Sequence, residues 1–179
     1  MIEIVFETHA ITEDNEAGRA TGWNPGRLSA RGRELARELG GRRRDDGLAA
    51  VFSSDLERAA ETARIAFDNT STPILLDWRL RECDYGALNG APTSQIHPGQ
   101  HFLDKPYPNG ESWQQAAGRI SLFLGDLPRR WDGERVLVIG HMATYYGLEN
   151  SVNGKSLESL METPFEWRKG WEYRLTVVD

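Results

Sequence analysis

The stretch AVFSSDLERAAETA occupies residues 50–63. Its first four residues are apolar or small, as expected for a strand that is buried on both faces. Ser54 and Glu57 then have the spacing of a capping box, which predicts a helix that continues through Phe67. A short apolar strand that leads directly into a helix is the repeating unit of α/β folds. Arg58 falls in the first turn of the predicted helix, next to the end of the strand.

The rest of the chain repeats this alternation. Further strands are predicted at 2–6, 73–76 and 135–139. Further helices are predicted from Ser29 to Gly40-Gly41, from a second capping box at Ser112, and from about His141. The C-terminal WEYRLTVV alternates with Trp171, Tyr173, Leu175 and Val177 on one face, which predicts a strand with one wetter side. The pattern favours a three-layer α/β sandwich with a mostly parallel central sheet and helices on both faces.

Composition narrows the class of protein. The 179 residues suit a single domain, 1–179, and 39% hydrophobic with 27% charged residues is typical of a soluble globular chain. No apolar run approaches the length of a membrane span, and the N-terminus lacks the features of a signal peptide. A net charge of −6 disfavours nucleic acid and anionic membranes as partners. The lone cysteine, Cys83, suits a reducing compartment, so we expect a cytoplasmic protein.

The proline-containing stretch from Asn89 to Gly110 interrupts the strand–helix pattern. Long connections of this kind often serve as a lid or a substrate loop, and a plain surface loop is the alternative. His97 and His101 have a spacing seen in metal sites, but Pro98 between them prevents the helix that would align the two rings. The sequence therefore predicts no metal site and no cofactor.

Polar residues follow three of the predicted strands. His9 comes after the first, Arg58 one helical turn after the second, and His141 after the strand at 135–139. Ligands of open α/β sheets bind at the carboxyl ends of the strands, so these side chains are expected to meet there. A neutral imidazole is a nucleophile near neutral pH, and arginine suits a phosphate group. The arrangement indicates phosphoryl chemistry, although a single histidine in such a position is more often a structural cap.

The sequence resembles the histidine phosphatase superfamily, whose members have a phosphoglycerate mutase-like fold. The opening motif is matched at His9, Thr12 and Asn15 but not at Thr8, Ala10 or Ile11, where the family has arginine, glycine and glutamate. Five further segments match in the same order: Thr21-Gly22-Trp23 with the Leu28-Ser29 segment, Ser53–Ala63, Arg79–Gly90, Gly110-Glu111-Ser112, and Val136–His141. The resemblance covers residues 2 to about 150.

The resemblance implies a role for each matching residue. His9 would attack phosphorus and become phosphohistidine, and Glu82 would protonate the leaving group and then activate water. Arg58 and His141 would bind the phosphate oxygens, with neutral hydrogen bonds added by Thr12 and Asn15. The substrate loop would contain Thr21, Gly22 and Trp23. The alternative for Glu82 is a surface ion pair with Arg79 or Arg81. The other tryptophans (Trp78, Trp113, Trp131, Trp167 and Trp171) are expected in core or edge packing.

Thr8 is the main departure from the family, which has arginine immediately before the nucleophile. Losing one charged donor to phosphate costs about 1.5–3 kcal/mol, and Thr8 offers a neutral hydrogen bond instead. Arg19 or Arg27 could supply the missing charge, although a solvent-facing role is favoured for both. Met142 replaces a glycine after the second histidine and is expected to narrow the pocket. The arginines at 42–44 are expected to be a solvated helix end.

These observations favour a metal-independent phosphomonoesterase that hydrolyses a small phosphorylated metabolite. One alternative is a phosphoglycerate mutase-type phosphoryl transferase, which is less favoured because Lys105 is the lone cation between Pro92 and Pro108. The other is a catalytically weakened module that binds a phosphorylated ligand. The joint retention of His9, Arg58, Glu82 and His141 argues against it, because a pure binder needs no acid. The oligomeric state is left open, with a homodimer as one alternative.

Overall fold

The computed structural model describes residues 1–96 and 99–176, and its centre is a five-stranded sheet. The strands are β1 (Ile2–Thr8), β2 (Ala50–Ser53), β3 (Ile74–Leu76), β4 (Arg135–Gly140) and β5 (Trp171–Leu175). Their order across the sheet is β3-β2-β4-β1-β5. All neighbours are parallel except β5, which pairs antiparallel with β1 at the edge. The predicted mostly parallel sheet is confirmed, and Val177 lies outside the described residues.

Helices surround the sheet. They are α1 (Glu13–Glu16), α2 (Ala30–Arg43), α3 (Glu57–Ala66), α4 (Thr93–Ile96), α5 (Trp113–Asp126), α6 (Pro128–Trp131), α7 (Met142–Asn153) and α8 (Leu157–Glu162). Short 3-10 helices occupy Trp78–Leu80, Gly86–Leu88 and Gly99–Phe102. In the described part of the chain, no helix combines the length and the apolar character that crossing a bilayer requires.

Alternating side chains of the central strands form two separate cores. On one face Ile4, Phe6 and Val138 pack with Ile120 and Phe123 of α5. On the other face a second cluster joins the sheet to α2 and α3; it comprises Val5, Val51, Leu137, Ile139, Leu39, Ala59, Ala63, Ala66 and Phe67. Burial of apolar area on both faces is the dominant stabilising contribution. The predicted three-layer sandwich is therefore confirmed.

Two predicted helix ends differ from the structure. Ser112 and Gln115 form the expected capping box of α5, but Ser54 does not cap α3, which begins at Glu57 after Leu56. The Ser54 hydroxyl instead accepts a hydrogen bond from the backbone N–H of Leu56. Helix α2 continues through Gly40 to Arg43. Gly40 does not end the helix; it lies against the Ala66 carbonyl, where a Cβ atom would not fit.

Two of the three arginines at the end of α2, Arg42 and Arg43, are mostly buried, contrary to the prediction, whereas Arg44 is exposed. Arg42 and Arg43 form ion pairs of 3.0 and 2.9 Å with the buried carboxylate of Glu7 in β1. Arg44 donates to the carbonyls of Ala66 and Ile65 at the end of α3. A buried carboxylate needs such partners, since an unpaired charge in a protein interior is strongly unfavourable. The three arginines therefore hold α2 onto β1 and α3.

Replacing Glu7 by glutamine is expected to lower the free energy of unfolding by about 2–3 kcal/mol. The change removes the charge that pairs with Arg42 and Arg43, which are themselves mostly buried. Urea unfolding checks this result. Glu57→Gln is the matched control: Glu57 pairs with Arg64 on the surface, so a loss below about 0.5 kcal/mol is expected. Equal small losses in both variants would contradict a structural role for Glu7.

The segment predicted as a lid or substrate loop, residues 89–110, contains α4 and a 3-10 helix. The Tyr107 ring stacks on Phe102 with 3.9 Å between ring centroids, and its hydroxyl donates to the Ile96 carbonyl. Tyr107 also packs against Tyr85, which fixes this part of the segment on the core next to α5. His97 and Pro98, and with them the His97–His101 spacing, lie outside the described residues.

Candidate active site

Two histidines face each other at the carboxyl ends of neighbouring parallel strands. Thr8 at the end of β1 is paired with Gly140 at the end of β4, and His9 and His141 are the residues that directly follow these strands. The centroids of the two imidazole rings are 5.0 Å apart. The backbone N–H of His9 donates to the Gly140 carbonyl, which fixes the relative height of the rings. The convergence predicted from topology is confirmed.

The His9 ring is oriented by its own backbone. Nδ1 lies 2.7 Å from the Ala10 carbonyl oxygen, which can only accept a hydrogen bond, so Nδ1 carries the proton and Nε2 carries the lone pair. Burial, and then the positive charge of Arg58, lower the pKa of His9 to about 3. His9 is therefore neutral, with a free nucleophilic nitrogen, at any physiological pH.

Thr62 holds the chain just after His9. Its hydroxyl accepts a hydrogen bond from the Ala10 N–H and donates to the Arg58 carbonyl in α3. This bridge fixes the peptide that orients the His9 ring. Sequence reasoning quoted Thr62 within the motif at 53–63 but assigned it no function.

His141 is buried, and within the described part of the chain neither of its ring nitrogens has a hydrogen-bond partner. Burial, followed by the positive charge of Arg58, places its pKa well below the ordinary value. Its backbone N–H donates to the Thr144 hydroxyl, which in turn donates to the Leu80 carbonyl. A neutral imidazole has one N–H to donate, and a buried donor without a partner indicates a place for a bound acceptor such as a phosphate oxygen.

Arg58 supplies the positive charge nearest the two histidines. Its side chain is buried, and Nη1 and Nη2 donate to the carbonyls of Asn24 and Gly22 at 3.0 and 2.8 Å. Burial lowers the pKa of Arg58, and the charge of Glu82 opposes that shift. A guanidinium has more N–H groups than these two bonds use, so Arg58 has further donors. Arg58 is not among the described residues that line the cavity beside His9, and its role in binding phosphate stays a prediction.

The predicted substrate loop has a positioning role in this structure. Thr21 donates to Asp14, and Gly22 adopts a left-handed φ of 57° next to Asn89, where a Cβ atom would not fit. The Trp23 indole N–H donates to the Glu82 carbonyl at 2.7 Å, and the Arg81 guanidinium lies over its ring. These residues orient Arg58 and Glu82, and none of the three is among the described residues that line the cavity beside His9. Their role as a substrate loop stays a prediction.

Glu82 is buried at the N-terminus of α7. Its carboxylate accepts hydrogen bonds from the backbone N–H groups of Cys83, Met142 and Ala143. Burial raises the pKa of Glu82, and these hydrogen bonds together with the charge of Arg58 oppose the shift. A carboxyl with a raised pKa suits a general acid.

The alternative of a surface ion pair for Glu82 is excluded by two other pairs. Arg79 binds Asp77 and Asp126, and Arg81 binds Asp55 through two hydrogen bonds of 2.7 Å. Asp55, the residue after Ser54, is thus bound to Arg81. Both arginines therefore brace the segment that carries Glu82 from outside the site.

Arg119 is a further positioning residue that sequence reasoning missed. This buried arginine of α5 forms two hydrogen bonds of 2.7 Å with Glu111. Its remaining N–H groups donate to the carbonyls of Arg79, Arg81 and Glu82. The Glu111–Arg119 pair thus fixes the backbone from which Glu82 reaches α7. The Gly110-Glu111-Ser112 motif was a sequence signal for one half of this pair.

Three residues were predicted to donate neutral hydrogen bonds to phosphate; Asn15 and Thr8 line the cavity, and Thr12 does not. Thr12 is fully buried, and with Asn15 it forms the capping box of α1. Asn15 lines the cavity beside His9 and keeps its amide N–H₂, because the capping box uses its amide oxygen. Thr8 also lines the cavity; its hydroxyl accepts a hydrogen bond from the Trp167 indole, which leaves the hydroxyl hydrogen free to donate. The part that the structure gives Thr12 is to position Asn15 through the capping box.

A cavity of about 650 Å³ opens beside His9 and extends to α2 and the C-terminal residues 165–169. His9, Glu82, His141 and Met142 lie on its wall. Its cationic side chains are Arg31, Arg42 and Lys169. Among the described residues, neither Arg19 nor Arg27, the predicted replacements for the missing arginine, is part of this wall, and the same holds for 89–96 and 99–110.

Within residues 1–96 and 99–176, no group of three histidine, cysteine, aspartate or glutamate side chains is placed to hold a metal ion.

Comparison with known proteins places this geometry in context. Residues 4–166 match the model of the histidine phosphatase superfamily, branch 1. The chain is 32% identical over 150 residues to the "Probable phosphoglycerate mutase GpmB" of Enterobacter sp. (strain 638), covering 79% of this chain and 70% of that protein. It superposes on Bacillus stearothermophilus YhfR with a TM-score of 0.82 and 29% identity, covering 94% and 88% of the two chains. The fold is also similar to that of the alpha-ribazole phosphatase from Shigella flexneri, with a TM-score of 0.78, 24% identity, and coverage of 89% and 84%.

Proposed function

The chain belongs to the histidine phosphatase superfamily, and on this basis we propose that it is a phosphomonoesterase of small phosphorylated metabolites. The observation that carries the proposal is the pair of neutral imidazoles 5.0 Å apart, of which His9 has its Nε2 lone pair free. Glu82, which is buried against the first residues of α7, is the acid. His9 is then the nucleophile, and Arg58 and His141 form the anion site.

In the first step, Nε2 of His9 forms a bond to phosphorus while the bond from phosphorus to the alcohol oxygen breaks. The charge on the transferring group is stabilised by donors that are already in place, which are the Arg58 guanidinium and the His141 ring N–H. The Glu82 carboxylic acid gives its proton to the leaving alkoxide. Splitting the displacement in this way exchanges one difficult step for two easier ones.

In the second step, water attacks the phosphohistidine and the bond from phosphorus to Nε2 breaks. The Glu82 carboxylate left by the first step accepts the proton of the water, which restores the acid. Inorganic phosphate then leaves, and both His9 and Glu82 have returned to their starting states.

Hydrolysis of p-nitrophenyl phosphate is expected to proceed at the same rate with and without EDTA. The proposed anion site consists of His9, Arg58 and His141, none of which needs a metal ion to bind phosphate. The measurement is the initial rate of nitrophenol release by protein dialysed against the chelator. A rate that EDTA abolishes and a divalent ion restores would contradict metal-independent catalysis.

A phosphoglycerate mutase is the second candidate, because the GpmB relative carries that name. A mutase must bind a second anionic group of its substrate. Of the three cations on the cavity wall, Arg42 is paired with Glu7, and Arg31 with Glu34 and Glu38. Lys169 has no ion-pair partner within the described residues. We expect release of phosphate from 3-phosphoglycerate to exceed its conversion to 2-phosphoglycerate; the opposite ratio would establish the mutase.

The cellular location and the oligomeric state stay predictions. Cys83 is buried and unpaired, which agrees with the reducing cytoplasm proposed from its being the lone cysteine.

A further inference from the structure

We propose that Trp167 is the platform of a subsite for the alcohol part of the substrate, and that the preferred substrates are phosphomonoesters whose alcohol carries an aromatic ring. This inference rests on the proposed phosphatase function and deepens it. The family resemblance gave Trp167 no role, and core or edge packing was expected for it.

Trp167 is fixed directly beside the nucleophile. Its indole N–H donates to the Thr8 hydroxyl at 3.2 Å, and Thr8 is the residue before His9. The side chain is nevertheless 56% exposed and lines the cavity. The polar atom of the indole is thus satisfied within the protein, while much of its apolar surface is uncovered. A large aromatic ring left in this state is a favourable surface for another flat apolar group.

The surrounding wall is apolar as well. The apolar side chains that share it with Trp167 are Ala10, Ile11, Leu35, Leu39, Met142 and Phe165. These come from four parts of the fold: the loop after β1, helix α2, the start of α7, and the segment before β5. A cavity of about 650 Å³ is within the size range of sites that hold whole organic ligands, whereas a phosphate group occupies a small part of it. The rest of the space is available to an alcohol of substantial size.

The charges on the wall are mostly neutralised. Glu7 pairs with Arg42, and Arg31 pairs with Glu38, so neither arginine requires an anionic partner from a ligand. Lys169 is exposed and belongs to the same wall. The apolar surface near His9 therefore favours an aromatic group over a second anionic group. The opposing hypothesis, which the experiment must test, is that Lys169 binds an anionic group of the substrate.

The test compares kcat/KM for 2-phenylethyl phosphate and ethyl phosphate. Both substrates release a primary alcohol, so the chemistry of the leaving group is nearly the same and the phenyl ring is the main difference. We expect the wild-type protein to prefer the phenyl substrate by about tenfold or more. Trp167→Ala is expected to remove most of this preference by lowering kcat/KM for the phenyl substrate about tenfold and for ethyl phosphate less than about twofold.

Two further variants separate stacking from a general effect on the site. Trp167→Phe keeps an aromatic ring but loses the hydrogen bond to Thr8, and it is expected to retain most of the preference. Trp78→Ala is the matched control, because Trp78 is 53% exposed but is not part of the cavity wall that the structure describes. It is expected to leave the ratio of the two kcat/KM values unchanged.

Three results would overturn the subsite. They are equal kcat/KM values for both substrates in the wild-type protein, an equal loss for both in Trp167→Ala, and a preference for 3-phosphoglycerate over 2-phenylethyl phosphate that Lys169→Ala removes. Each of them leaves phosphatase activity intact, so the proposed function would stand. Absence of hydrolysis of every phosphomonoester tested would overturn the proposed function itself, and the subsite with it.

Discussion

Replacing His9 by alanine is expected to lower kcat for p-nitrophenyl phosphate by at least about 10⁴-fold, because the variant lacks the atom that attacks phosphorus. The free Nε2 lone pair, set by the bond from Nδ1 to the Ala10 carbonyl, is the feature on which this prediction depends. The measurement is steady-state nitrophenol release, with far-UV circular dichroism to verify the fold.

Arg19→Ala is the matched control for the site as a whole. Arg19 is an exposed cation that binds the Gly90 carbonyl, away from the described cavity wall. Its loss is expected to change kcat/KM less than about twofold, as is usual for a surface substitution. A folded His9→Ala protein with activity near that of the wild type would show that another group attacks phosphorus.

Replacing Glu82 by glutamine is expected to lower kcat for alkyl phosphates by about 10²- to 10⁴-fold, the usual contribution of a positioned acid. The amide keeps the shape of the side chain but cannot give a proton to an alkoxide. The loss is expected to be much smaller for the first turnover of p-nitrophenyl phosphate, whose phenolate leaves without a proton. The kinetics of ethyl phosphate and p-nitrophenyl phosphate with the same variant provide this comparison.

The pH profile gives an independent test of Glu82. Catalysis of the first step requires protonated Glu82, and burial raises the pKa of this carboxyl, so its protonated form persists to higher pH than in an ordinary glutamate. We expect kcat/KM for an alkyl phosphate to fall as pH rises through that pKa, and the fall to disappear in Glu82→Gln. His9, with a pKa of about 3, contributes no change near neutral pH. An ascending limb near pH ~6 belongs to ionisation of the substrate and is expected in both proteins. A descending limb that persists in Glu82→Gln would assign it to another group.

The fold was predictable because its main signals are local. The apolar runs that became β1, β2 and β4 and the Ser112 capping box are readable within a few residues. The predicted cap at Ser54 was wrong because the Ser54 hydroxyl accepts a hydrogen bond from the Leu56 N–H and α3 begins at Glu57. The exposed character expected for Arg42 and Arg43 was wrong because their partner Glu7 lies on another element, distant in sequence.

The catalytic residues were predictable from topology, because parallel strands bring residues such as His9 and His141 to one edge. The residues that line the cavity were not predictable in this way. The hydrogen bond from Trp167 to Thr8 joins residues near the two ends of the chain. No pattern of apolar and polar residues in the sequence indicates a contact of this kind. Core or edge packing was expected for Trp167, which lines the cavity instead, while the indole of Trp23 donates to the Glu82 carbonyl.

The most direct test of the central claim is to trap the phosphoryl group on the enzyme. Glu82→Gln mixed with p-nitrophenyl phosphate is expected to release about one nitrophenol per chain rapidly and then turn over slowly, because the base that activates water is missing. Quenching in alkali, followed by peptide mass spectrometry, should then find one acid-labile phosphoryl group on His9. A burst that leaves the phosphoryl group on another residue, or turnover with no phosphoenzyme in this variant, would contradict a phosphohistidine mechanism.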